Sequence, residues 1–191
     1  MKYHNITKAD MLNGEGLRVV LWTSGCIHHC PACQNALTWD ENDGLDFDDD
    51  AIKEIYKELE TDWCSGLTLS GGDPLFIPSR KTIRDLVTNV KKLYPAKTIW
   101  SYTGYTWEEL MSQVKEDKNL KEILENIDVL LEGKFVLKLA NEKLHYVGSS
   151  NQRIIDVKKS LEKGEIVLYI DNSDITETKE LNNIESGACR C

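Results

Sequence analysis

Apolar, strand-like runs alternate along this chain with segments of helical periodicity, and that alternation restricts the fold to α/β. Val19–Trp22 reads as the end of a buried strand. Asp48 or Asp49 then caps a helix whose Ile52, Ile55, Tyr56 and Leu59 follow i, i+3, i+4, i+7 spacing. Gly66–Ser70 is the next strand. A second helix, capped by Ser79, carries Ile83, Leu86, Val87, Val90 and Leu93 on one face and stops before Pro95. Thr98–Tyr102 follows as a strand, and Thr106-Trp-Glu-Glu109 is a capping box that opens a third helix. Val129–Leu131 and Ile166–Ile170 complete the strand set. Repeated strand, helix, strand units predict a single-domain partial (β/α) barrel of mostly parallel strands joined by right-handed crossovers. The 191 residues suit one such domain over residues 1–170, with 171–191 as a polar, acidic tail too poor in large apolar residues to dock. No internal repeat is evident.

Directly after the Val19–Trp22 run comes Gly25-Cys-Ile-His-His-Cys-Pro-Ala-Cys33, a C-x3-C-x2-C spacing. Steps of four and three residues let a curled loop aim three thiolates at one point, and Pro31 removes a backbone donor that a plain helix would need. Three cysteines in a polar turn are poorly placed as core residues. Both a cubane iron-sulfur cluster and a structural zinc want four ligands, so this set either borrows a ligand or keeps one coordination position open. His28, His29, Cys64 or the Cys189-x-Cys191 tail are the candidates for a borrowed zinc ligand. A disulfide framework is disfavoured, because no cleavable leader precedes the first strand and the domain is too large to need staples. The chain therefore reads as cytoplasmic. Its formal charge is −9, from 32 acidic and 23 basic residues, with no basic stripe, which argues against general nucleic-acid binding. The apolar runs are too short for a membrane span.

The cysteine spacing after a first strand resembles the cluster motif of the radical S-adenosylmethionine enzymes. Further matching segments are Lys2-Tyr-His, Asn13-Gly-Glu-Gly-Leu-Arg18, Leu69-Ser-Gly-Gly-Asp-Pro-Leu75, Ile99–Tyr105, Glu132-Gly-Lys-Phe-Val136 and Gly148–Gln152. Together, over roughly four fifths of the chain, these are similar to the activating enzymes of anaerobic (class III) ribonucleoside-triphosphate reductases. The resemblance implies that Cys26, Cys30 and Cys33 hold a [4Fe-4S] cluster whose fourth iron takes the methionine end of S-adenosylmethionine. It further implies reductive cleavage of that cosubstrate and formation of a glycyl radical on the large reductase subunit. A low-potential electron donor such as flavodoxin would feed the cluster, and all-cysteine ligation suits potentials reaching down to roughly −700 mV. Activation of pyruvate formate-lyase or another glycyl-radical enzyme is the alternative within the superfamily. A zinc-stabilised binding module without turnover is the alternative outside it.

The resemblance also nominates cofactor contacts. Gly71, Gly72 and Asp73 match the family's Gly-Gly-Glu element, which holds the methionine amino group, with Asp73 standing for the commoner Glu. Read without the resemblance, the same segment is a Gly-Asp-Pro turn. Ala32 replaces an aromatic residue common in the superfamily, so the peptide groups of Ala32, Cys33 and Gln34 are the expected contacts to the nucleoside. Ser101, Tyr102 and Thr103 are candidates for the ribose or methionine pocket. Asn35 is expected to bond its own backbone, and His28 and His29 to face solvent. Gly148–Gln152 reads either as part of the site's mouth or as a helix start capped by Ser149 or Ser150.

Overall fold

The structure, a computed structural model, describes residues 1–173. The expected tail, with Cys189 and Cys191, lies almost wholly in 174–191, outside the described residues. Local signals set most element boundaries. The chain opens with β1 (Lys2–Asp10), β2 (Leu17–Thr23) and the short β3 (Leu45–Asp46). Helix α1 (Asp49–Leu59) begins where the Asp48 side chain accepts from Asp50 N and Ala51 N. Strand β4 (Cys64–Gly71) and helix α2 (Arg80–Leu93) follow, with Tyr94 as the C-cap just before Pro95. Ser79 precedes α2 but makes no side-chain cap: it already belongs to the 3-10 turn Ile77–Ser79 and has helical dihedrals, so its hydroxyl is not aimed at the first turn. After β5 (Thr98–Tyr102), α3 (Trp107–Gln113) opens on a complete capping box between Thr106 and Glu109. Helix α4 (Lys118–Asn126), β6 (Val129–Glu132), β7 (Arg153–Asp156), α5 (Val157–Lys163) and β8 (Leu168–Ile170) complete the order.

The strands form one sheet in the order β3-β1-β2-β4-β5-β6-β7-β8. Its centre, β2-β4-β5-β6, is parallel, as the helical crossovers require. Both flanks are antiparallel, so the expectation of mostly parallel strands holds only for the centre. The sheet stays open, with β3 and β8 at its edges. Alternation along each strand divides the residues between two faces. Val19 and Leu21, Leu67 and Leu69, Ile99, Leu130 and Ile155 pack with apolar residues from all five helices. On the opposite face Trp100, Val129, Leu131 and Ile154 pack under Leu144 and Val147 from the β6–β7 connection. No helix of the described residues is long and apolar enough to cross a membrane.

Asp128 joins three elements on the way into β6. Its carboxylate accepts from Lys158 Nζ at 2.6 Å, Lys91 Nζ at 2.6 Å and Ile99 N at 2.7 Å. Burial opposes ionisation, but these three donors outweigh it and hold the carboxyl below its ordinary 3.8. A depressed acid stabilises the fold above its unfolded pKa and loses that contribution as pH falls through the folded value. Asp128→Asn is therefore expected to cost about 1–3 kcal/mol at neutral pH, with the deficit shrinking below about pH 4. Urea melts of both proteins at pH 7 and about pH 3 check this.

Candidate cluster and cofactor site

The C-terminal ends of the parallel strands carry the loops with the chemistry, as open α/β sheets dictate. The cysteine loop leaves β2 and is pinned at its start: Gly25 N donates to Thr38 O at 2.8 Å and Cys26 N to Trp39 O at 3.1 Å. His29 and Ala32, each immediately before a cysteine, adopt left-handed dihedrals with φ of 46° and 59°. Such strained backbone in non-glycine residues gathers where function over-determines the conformation. A further turn closes from Cys33 N to Cys30 O at 3.1 Å. Cys26, Cys30 and Cys33 are free thiols and partly exposed, whereas Cys64 is buried in β4.

The surroundings fit a metal-bound thiolate set. Burial pushes the Cys26 thiol up to about 11, with the backbone N–H groups of His28 and His29 acting in the opposite sense. Asn35 N donates to Cys33 Sγ at 3.4 Å. Amide donors on sulfur stabilise the thiolate, and a coordinated metal removes the thiol proton outright. Among the described residues, no three His, Cys, Asp or Glu side chains converge as a ready-made single-ion site.

The Gly-Gly loop after β4 is locked against the cysteine loop. Gly72 N donates to Thr23 O and Asp73 N to Gly25 O, both at 2.8 Å. A Cβ on Gly72 would stand 2.5 Å from Gly25 O, so the two loops touch because no side chain separates them. Asp73 is 1% exposed. Its Oδ1 accepts from Leu75 N at 2.8 Å, and its Oδ2 from Gly104 N at 3.0 Å and His28 Nε2 at 2.6 Å. Thr103 Oγ1 lies 3.0 Å from both oxygens.

Several expected residues are placed differently from one another. Ala32 and Gln34 are exposed on the cysteine loop. Ser101 shares the helix-covered face with Ile99, is fully buried and donates to Tyr102 O at 3.3 Å. Tyr102 turns to the opposite face, where its hydroxyl donates to Tyr146 O at 3.0 Å, and burial pushes its pKa up strongly. Thr103 reaches Asp73, as above. The Asn35 side chain makes no cap; the backbone carbonyl of Asn35 accepts from Thr38 N and Oγ1 instead. His28 is a correction to the expectation of solvent exposure: its side chain is 4% exposed, edge-on to Tyr105 at 4.7 Å, while His29 stays outside and stacks on Trp39 at 4.6 Å. Gly148–Gln152 starts no helix. Gln152 Oε1 accepts from Gly148 N, Ser149 N and Ser149 Oγ, closing the turn into β7.

A groove of about 550 Å³ opens beside these loops, between the start of α3 and the β6–β7 connection. Gly104, Thr106, Glu132, Gly133, Asn151 and Arg153 are among its walls. Arg153 bonds Glu132 and, at 2.8 Å, Glu108, while Glu132 also accepts from Trp107 N at 3.0 Å. Burial raises the Glu132 pKa, and Arg153 counters it. Neither this network nor the His28–Asp73 contact was legible from local pattern. The nearest signals were the histidine enclosed between two cysteines and the Glu132-Gly-Lys segment.

Comparison with known proteins adds an independent line. A family model described as a 4Fe-4S single cluster domain matches residues 12–155. A protein of Enterobacteria phage T4 named anaerobic ribonucleoside-triphosphate reductase-activating protein is 41% identical over 154 residues, covering 81% of this chain and 93% of its own. Proteins of the same name from Haemophilus influenzae and Escherichia coli K12 are 40% and 38% identical, covering 81% and 80% of this chain and 97% and 96% of their own.

Proposed function

The chain belongs to the family of anaerobic ribonucleoside-triphosphate reductase-activating proteins, and from that membership we propose that it is an activating enzyme that uses S-adenosylmethionine to install a glycyl radical on the reductase. The observation that carries this reading is the cysteine loop: three partly exposed thiols on one strained turn at the C-terminal edge of a parallel sheet. A [4Fe-4S] cluster held by this loop would supply the low-potential electron needed for reductive cleavage of the cosubstrate, the chemistry from which a glycyl radical on the reductase would follow.

Cys26, Cys30 and Cys33 would hold the cluster, one protein ligand fewer than a [4Fe-4S] cluster takes, which would leave room there for the cosubstrate. The peptide groups of exposed Ala32 and Gln34 and of partly exposed Cys33 are the proposed contacts to the nucleoside, and Gly71 and Gly72 bring backbone close without side chains. Ser101 and Thr103 support this edge through their bonds to Tyr102 O and Asp73. All five helices cover one face of the sheet, as the outer layer of a partial barrel would, while Leu144 and Val147 cover part of the other. The reductase must present its glycine on an exposed loop, because a Cα hydrogen inside a packed subunit cannot reach the site. The groove beside Gly104 is our candidate path for that loop. A flavodoxin-like donor and a cytoplasmic setting complete the proposal; no membrane or nucleic acid takes part.

Anaerobically reconstituted protein is expected to hold about four irons per chain. With dithionite, S-adenosylmethionine and the reductase it should release 5'-deoxyadenosine and raise a glycyl-radical signal in electron paramagnetic resonance. Colourless protein with one zinc and no deoxyadenosine would overturn the reading. Deoxyadenosine release without a radical on the reductase would assign a different glycyl-radical target.

A further inference from the structure

We propose that His28 and Asp73 form a strut that positions the cysteine loop, and that Asp73 serves as this internal anchor and not as a ligand to the cosubstrate's ammonium. The inference rests on the reading of Cys26, Cys30 and Cys33 as cluster ligands.

Saturation of the carboxylate is the first ground. An ionised carboxylate offers about four acceptor directions. Leu75 N, Gly104 N, Thr103 Oγ1 and His28 Nε2 supply four donors within 3.0 Å, and the residue is 1% exposed. An added ammonium would have to displace one of them at a carboxylate already closed off from solvent. Connectivity is the second ground. The donors to Asp73 come from the loops after β2 and β5 as well as from its own, so one buried carboxylate ties together the ends of three adjacent parallel strands. His28 sits midway between Cys26 and Cys30, and anchoring its ring fixes the chain path between two ligands. Packing is the third. The ring lies edge-on to Tyr105 at 4.7 Å, and a Cβ on Gly104 would fall 2.3 Å from His28 Cδ2, so Gly104 leaves only enough room for that ring. Outer groups of this kind commonly set metal affinity by 10- to 100-fold.

The test compares reconstituted wild type with His28→Leu, His28→Gln, Asp73→Asn, the His28→Leu/Asp73→Asn double variant and Gly104→Ala. Release of iron to a chelator is followed by loss of visible absorbance, melting of the apoproteins controls for folding, and S-adenosylmethionine affinity is measured on the loaded proteins by equilibrium dialysis. His28→Leu and Gly104→Ala should release iron about tenfold faster or more, while His28→Gln, which keeps a donor for Asp73, should recover most of the loss. Asp73→Asn should release iron as His28→Leu does, the double variant should be no worse than either single one, and cosubstrate affinity should change by less than about threefold. Unchanged iron release in His28→Leu and Gly104→Ala would overturn the strut. So would Asp73→Asn with normal iron release and an affinity loss of about tenfold, which would make Asp73 a direct ligand. Wild type that binds no iron would instead remove the cluster reading on which the strut rests.

Discussion

Cys26→Ala, Cys30→Ala and Cys33→Ala, each reconstituted anaerobically, are expected to lose S-adenosylmethionine cleavage to background. With one thiolate missing, a cubane keeps two protein ligands from this loop and no unique corner for the cosubstrate. Among the described residues, His28 is bonded to Asp73, His29 stacks on Trp39, and Cys64 is buried in β4 with its sulfur near Gly66 O. Iron per chain and deoxyadenosine released per chain are the measurements. Cys64→Ala is the internal control, expected to keep iron and cleavage while losing about 1–2 kcal/mol of stability to the small cavity left behind. Cys189 and Cys191 lie outside the described residues, and Ser replacements there are expected to leave cleavage intact. Equal loss in Cys64→Ala would redraw the ligand set.

Gly71→Ala is the second large effect, and its cause is packing at the end of the β2–β4 ladder, where Gly71 pairs with Thr23. Gly71 has φ of +102°, and an added Cβ would lie 2.5 Å from Thr23 N, 2.6 Å from Thr23 O and 2.7 Å from Trp22 C. All three are backbone atoms of the neighbouring strand, so relief requires prying β2 away from β4 just where the cysteine loop begins. The expected cost is about 3–5 kcal/mol, a fall in melting temperature on the order of 10 °C. Iron retention should fall with it. Gly164 separates conformational strain from collision, since it has φ of +70° but nothing within 4 Å of an added Cβ. Gly164→Ala is expected to cost only about 1 kcal/mol and to leave iron binding unchanged. Matched melts of the two variants, with iron content, decide whether the clash or the dihedral matters at Gly71.

The same residue carries a packing role that local pattern does not show. A Gly-Gly-Asp-Pro run at a strand end suggests backbone kept bare for a ligand, and in the fold the bareness of Gly71 and Gly72 also lets the end of β2 and the start of the cysteine loop approach closely. Ser79 shows another limit. Its type and position suit a cap, but the 3-10 turn before α2 had already set its dihedrals. Asp48, Thr106 and Glu109 behave as read, because the groups they bond lie within three residues in the chain. β1 escaped notice because only Tyr3 and Ile6 of its nine residues are buried, too few for an apolar run. β7 is four residues with charged ends. Both strands exist through antiparallel pairing with neighbours, which no local pattern encodes.

What the sequence by itself determined was short-range: the cysteine spacing, the helix caps, the Pro95 stop and the strand-helix alternation of the sheet's centre. Each depends on groups a few residues apart, whose geometry the chain's own covalent structure restricts. Only the tertiary structure decided that the sheet's flanks run antiparallel, that Ser101 and not Tyr102 lies under the helices, and that His28 turns inward. His28 and Asp73 are 45 residues apart, and Thr103 and Asp73 are 30. Which donors meet a buried carboxylate is settled by how strand ends are brought side by side, and the free energy for that comes from burying the sheet's apolar faces.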